Sequence, residues 1–268
     1  MKIVWKSIAA AASLMLASCG GGGGNAAVSK NFTYGAPLAP TTAEQTAATS
    51  AQGAVSSTAG FGSGPSSASA SVIAGMADDL ASSALGASAI GSAPLAQVPQ
   101  LRNAMRTAVA ADCTVVTANT VTFNNCQQSD SGYTFTLNGT VTATGTPGNG
   151  NVTWDIHGGF SGTNQGITVN LNLHQSGTLT VTPTTVVGNS LSEISGSASG
   201  NGQSISFGLD TAAVVNLTYN ATCVTSGTIE VKRVWSQRPN GATGPQFADV
   251  AVKLSWTGCN TVQVEHSM

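Results

Sequence analysis

Charge is what this chain has least of. Only 7% of its 268 residues are Asp, Glu, Lys or Arg, against roughly 25% in an ordinary soluble domain. Nine basic and 11 acidic side chains give a formal net charge of −2, and the basic ones form no cluster. A nucleic-acid partner is excluded on that ground, because displacing counterions from phosphate needs a Lys/Arg footprint. Aromatic residues make up only 5%, too few for the girdles of a membrane-spanning β-barrel. No apolar run reaches the ~20 residues of a spanning helix. Catalytic signatures are missing too: there is no His-Glu-x-x-His, no phosphate loop ending in Gly-Lys-Ser/Thr and no dinucleotide fingerprint. Gly60 to Gly64 reads Gly-Phe-Gly-Ser-Gly, but no strand leads into it, so it is not a nucleophile elbow.

What is present begins at the N-terminus. Lys2 and Lys6 precede a small apolar stretch from Ser7 to Ala17, the layout of a secretory signal. Leu16-Ala17-Ser18-Cys19 follows. This tetrapeptide resembles the lipobox of bacterial lipoproteins, with a branched apolar residue and two small ones before a cysteine. The resemblance implies that Cys19 is lipidated, that 1–18 is a signal peptide cut away, and that the new amine is acylated. Three acyl chains exceed the two signals needed for stable anchoring. Gly20 follows the cysteine, where an Asp would imply retention at the inner membrane; the resemblance therefore implies an outer-membrane lipoprotein. Cleavage before Cys19 leaves 7 basic and 11 acidic side chains, a net charge of −4.

Residues 19–69 read as a disordered tether rich in Gly, Ser and Ala, with Lys30 and Glu44 its only charges. Such composition buries too little apolar surface to offset its ordering entropy. Fifty residues of flexible coil reach on the order of 40 Å, a spacer between membrane and body. Residues 70–112 read as a helical neck. Val72, Met76 and Leu80 recur at helical spacing after Ser71, and a second stripe holds Val98, Leu101 and Met105, with Pro99 suited to a first turn.

From 113 to 268 the period becomes two. Tyr133, Phe135, Leu137 and Val141 alternate with Thr134, Thr136, Asn138 and Thr140. The same alternation runs through Val152 to Phe160, Ile167 to Val181, Ile205 to Leu209, Val215 to Ala221 and Val250 to Trp256. Short Gly/Asn-rich turns separate the runs, which leaves no room for crossover helices. The expected fold class is mainly β: an antiparallel meander of nine to eleven strands, curled into a barrel or half-barrel, with a β-sandwich as the alternative.

Four cysteines remain in this exported body: Cys113, Cys126, Cys223 and Cys259. An even number suggests disulfides, and no Cys-x-x-Cys marks a metal site. Cys113 and Cys126 flank a short hairpin that turns near Ala118-Asn119, so they return to the same end. Cys223 and Cys259 close the first and third strands of a meander. Those strands lie roughly 9–10 Å apart, so the second bond requires the flanking loops to lean together.

Candidate site residues are few. Asp155 and His157 project from one polar strand face, with His174 on the next strand. This set reads as a solvated face with a local ion pair rather than as a catalytic or metal site, and no cofactor is assigned. Arg233 lies on the apolar phase of Ile229, Val231 and Trp235. An inward charge is costly unless paired, so Arg233 is the candidate ligand-binding residue, suited to an anionic headgroup. Its structural alternatives are a bulge, a pair with Glu193 or Asp210, or snorkelling past Trp235. The expected function is non-catalytic: an envelope-anchored lipoprotein whose β domain serves binding or structural display. Its partners are the membrane, through the lipid, and an apolar ligand or an envelope protein. The alternative is a carrier or sensor of an apolar ligand inside the curved sheet; a hydrolase ranks below both.

Overall fold

The computed structural model describes residues 26–42, 44–45, 48 and 113–268, apart from 118, 131, 147–148, 201, 240–242, 245–246 and 260. The residues read as a signal peptide (1–18), Cys19 and the stretch 70–112 read as a helical neck lie outside the described residues. Ten strands follow one another in sequence and in space: β1 (Thr114–Val116), β2 (Thr120–Asp130), β3 (Tyr133–Thr146), β4 (Asn149–Asn164), β5 (Ile167–Val181), β6 (Thr185–Gly200), β7 (Gln203–Tyr219), β8 (Val224–Gln237), β9 (Val250–Gly258) and β10 (Thr261–His266). Every pairing is between consecutive strands and antiparallel, and β1 and β10 are the two edges. The protein is mainly β, one open meander.

The apolar face of a single sheet must be covered, by its own curl or by what packs on it. Here the alternating apolar side chains of β2 through β10 form one continuous core, from Val121 and Phe123 to Val262 and Val264. Phe135, Leu137, Val141 and Ile156 are almost wholly excluded from solvent. Long strands of 14 to 17 residues in β3 to β8 let the curl close over this interior without hydrogen bonds between its edges. One position shows how tightly it is filled. Gly177 of β5 lies opposite Trp154 of β4, and a Cβ there would stand 2.3 Å from the indole. The missing side chain is the space the ring occupies.

Both disulfides form as expected, Cys113–Cys126 and Cys223–Cys259. The route to the second differs from the expectation. β8 begins at Val224, directly after Cys223, and β9 ends at Gly258, directly before Cys259. The bond therefore ties neighbouring strands, and the Cα atoms are 5.5 Å apart with no lean of the loops. At the first disulfide, a register shift between Phe123 and Cys126 switches the inward phase of β2 from odd to even positions. This one-residue bulge, with Asn125 at φ 50°, buries Cys126 completely.

The reading of 19–69 as one unpartnered coil is corrected for its middle. Residues 26–29 form a four-residue helix, α1, and the chain then runs along the free edge of β10. Leu38 and Val264 exchange backbone hydrogen bonds of 2.8 and 3.0 Å, and Gly35 N–H donates to His266 O at 2.9 Å. This strap covers one edge of the sheet, which would otherwise be a template for association. Side chains hold it down: Lys30 pairs with Asp249, Tyr34 Oη donates to Glu230 at 2.5 Å and Glu44 pairs with His266 at 3.1 Å. Thr41 and Glu44 form a capping box, with Thr41 N–H donating to Glu44 at 2.7 Å. Ala48 beyond it joins the core.

Candidate functional site

Two side-chain arrangements stand out, one on each face of the sheet: a polar row on the inner face across β5 to β8 and a charged cluster on the outer face across β4 to β6. The first is on the inner face. Cross-strand register aligns Gln175, Ser192, Thr211 and Arg233 in one row. The first three are buried. Arg233 is on the inward phase the sequence assigns to it, opposite Thr211 and Val250. Glu193 and Asp210 are directly opposite each other on the outer face, so neither pairs with it. Arg233 Nε is buried, and its N–H is a donor without an acceptor among the described residues.

The second arrangement is on the outer face. His157 of β4 and His174 of β5 are directly opposite, and His174 is directly opposite Glu193 of β6. The two imidazoles stack, with centroids 4.3 Å apart and planes within 3°. His174 Nδ1 meets Glu193 Oε2 at 2.5 Å, and its Nε2 meets Asp155 Oδ1 at 2.8 Å. His157 Nε2 is 3.3 Å from the same Asp155 oxygen. Partial burial of the His174 ring works against its charged form. The hydrogen bonds to Glu193 and Asp155, and then their charges, outweigh it and hold the His174 pKa above the ordinary imidazole value. Protonated, the ring donates from both nitrogens, one to each carboxylate.

Asp155 and His174 also line a groove of about 650 Å³ that crosses the outer face to Glu230 and Lys232 on β8. Its floor includes Leu191, Ala212 and Val214, and Val28 of α1 contributes to its wall. The floor is apolar because α1 seats beside it: Ala27 packs on Ala212 and Val234 in a second small core. Charged groups thus flank an apolar strip that has room for a small ligand.

Sequence reasoning placed Asp155, His157 and His174 on neighbouring polar faces, and the structure brings all three together. It missed Glu193 as their partner, and it missed the three polar companions of Arg233. The signal for both is pairing register, which depends on recognising β6. Cys19 lies outside the described residues. No protein-family model matches the chain, and comparison with curated proteins and with solved structures returned no match.

Proposed function

We propose that this chain is an envelope lipoprotein of the outer membrane, and that its β body is a non-catalytic binding module held close to the bilayer by an acylated Cys19. One observation carries the closeness to the bilayer: the stretch from α1, which begins at Ala26, to Leu38 is fixed to the body, Ala27 against Ala212 and Val234 and Leu38 on the edge of β10. Seven residues beyond Cys19 span at most ~25 Å fully extended. The long flexible spacer expected from composition is therefore replaced by a short leash, and α1 with its neighbouring groove is the membrane-proximal part of the body. The state of His174 supports binding over catalysis, since each of its ring nitrogens rests on a carboxylate, the arrangement of a positioned ligand-holding group rather than of a free general base. The test is fractionation of a bacterial host making the full-length protein. Wild type is expected in the outer-membrane pellet, and Cys19→Ser in the soluble fraction or uncut at the inner membrane. A Cys19→Ser protein that sediments and matures like wild type contradicts the anchor.

A second reading has its own observation. The inner polar row ending at the unpartnered Arg233 Nε suits an apolar ligand with an anionic head, carried on the concave side. Native mass spectrometry of the protein from its own host, beside Arg233→Met, tests it. A co-purified acyl species lost in the variant supports the carrier; its absence from wild type removes it.

A further inference from the structure

Residue types that ligate metals converge on the outer face at one point. We propose that Asp155, His157 and His174 bind a late first-row divalent cation of the zinc type, with Glu193 as the positioning residue that orients His174. The inference goes beyond the anchoring just described and does not depend on lipidation of Cys19.

Distances come first. One ligand atom from each of the three residues lies within 4.8 Å of the other two. A tetrahedral zinc ion with bonds of about 2.0–2.1 Å sets its ligand atoms about 3.3 Å apart. Asp155 Oδ1 already stands 3.3 Å from His157 Nε2 and 2.8 Å from His174 Nε2. The two rings are parallel, within 3°, because direct cross-strand pairing of His157 with His174 places them side by side. Stacked rings send their lone pairs side by side, so binding turns the exposed His157 ring out of the stack until both Nε2 atoms converge beside Asp155 and complete three corners of a tetrahedron. Asp155 and His157 are more than half exposed, so an ion and its completing water have open access.

Chemistry then selects the ion. Two imidazole nitrogens and one carboxylate oxygen suit zinc and its neighbours, whereas calcium and magnesium take oxygen sets. The second layer of contacts is already in place. Glu193 holds His174 Nδ1 at 2.5 Å, the carboxylate–histidine arrangement that keeps the proton on Nδ1 and leaves Nε2 for the metal. On binding, the Nε2 proton of His174 leaves to solvent, and the Asp155 oxygen exchanges its hydrogen bond for the ion. A ladder of ion pairs for stability alone needs no such convergence of His157 on the same carboxylate oxygen.

The experiment uses the full chain without a histidine tag, titrated with Zn2+ by calorimetry and by nitrogen-edited NMR of the imidazole rings. One ion per chain is expected, with the ring signals of His157 and His174 shifting together and Mg2+ leaving them unmoved. His157→Ala and His174→Ala should each weaken the affinity at least about tenfold, as should Glu193→Gln, which keeps all three ligands. Thermal melts establish that each variant is folded, and the wild-type ring signals decide the matter if one is not. Failure of the folded wild type to take up Zn2+ saturably overturns the proposal. So does uptake undiminished in both histidine variants. A Glu193→Gln protein that melts earlier but binds Zn2+ as tightly as wild type removes Glu193 from the site.

Discussion

The two faces of β5 to β8 follow opposite rules over a short stretch. Along most of the sheet the inner face is apolar and the outer face carries Thr and Asn ladders, such as Thr120 with Thr142 at 3.0 Å and Thr163 with Thr168 at 2.8 Å. Between His174 and Val234 the inner face holds Gln175, Ser192, Thr211 and Arg233. The outer face there buries Ala212 and Val234 under α1. Polar groups inside and apolar groups outside both cost stability if left uncompensated. Their meeting at one level of the sheet separates what the fold needs from what this protein uses. Departures from a consistent pattern concentrate where a structure serves something besides stability.

The comparison can be broken by substitutions on either side of it. The largest effect is expected in the regular interior. Phe135→Ala on β3, where the side chain is 1% exposed, should cost about 3–5 kcal/mol by denaturant unfolding. Gly177→Val should also destabilise strongly, since its first carbon already collides with Trp154. The disulfides come next. Their loops span 13 and 36 residues, so the chain-entropy relation gives about 3 and about 4 kcal/mol. Replacing the pair Cys223 and Cys259 by Ser should therefore lower stability more than replacing Cys113 and Cys126. The irregular level should behave otherwise. Arg233→Met removes a half-buried side chain whose Nε is buried and unpartnered among the described residues, and it should leave stability within about 1 kcal/mol of wild type or raise it. A loss as large as that of Phe135→Ala would make Arg233 part of the scaffold.

The smallest expected effect is local and depends on pH. Burial opposes ionisation of Asp249. Hydrogen bonds from Lys30 and the Trp235 N–H, and the charges of Lys30 and Arg238, outweigh it and hold its pKa below the usual carboxylate value. The Glu44 pKa is likewise lowered; against its burial stand hydrogen bonds from Thr41 and the charge of His266. A depressed folded pKa adds stability that is present above the unfolded value and disappears as pH falls through the folded one. Acidification below the ordinary carboxylate range should therefore release the strap, while the ten strands keep their core. Amide hydrogen exchange at Gly35 and Leu38 reports it, and Asp249→Asn should bring the release to neutral pH. Strap and sheet losing protection together would show that they are one cooperative unit.

The fold was legible wherever alternation was carried by large side chains. In β3, β4, β5 and β9 most inward positions are large apolar side chains, such as Phe135, Leu137, Trp154, Leu171, Leu254 and Trp256, and their faces were assigned from the sequence as the structure has them. β6 was not legible, because its inward positions between Val186 and Ala198 include Gly188, Ser190, Ser192 and Gly196. Gly188 and Gly196 leave room for Leu179 and Leu171 of β5, and Ser192 belongs to the polar row, so the pattern that marks a strand is diluted by what the strand packs against. The strap shows the reverse. Phe32, Tyr34 and Leu38 alternate, and Thr41-x-x-Glu44 is a capping box. These cues are short and surrounded by Ala and Gly, and composition outweighed them. The histidine pair could be read from i, i+2 spacing on one strand and the next strand's phase. Glu193 could not, because its place beside His174 follows only once β6 is a strand in register.

The claim on which the functional account rests is that Cys19 carries lipid and the body matures outside the cytoplasm. Intact mass spectrometry of the protein extracted from the membranes of a bacterial host measures both at once. The account predicts a chain that begins at Cys19, heavier than its sequence by three acyl groups and their glyceryl linker, with the four body cysteines inert to alkylation until reduced. A chain that still begins at Met1, unacylated, with Cys113, Cys126, Cys223 and Cys259 freely alkylated, would contradict it.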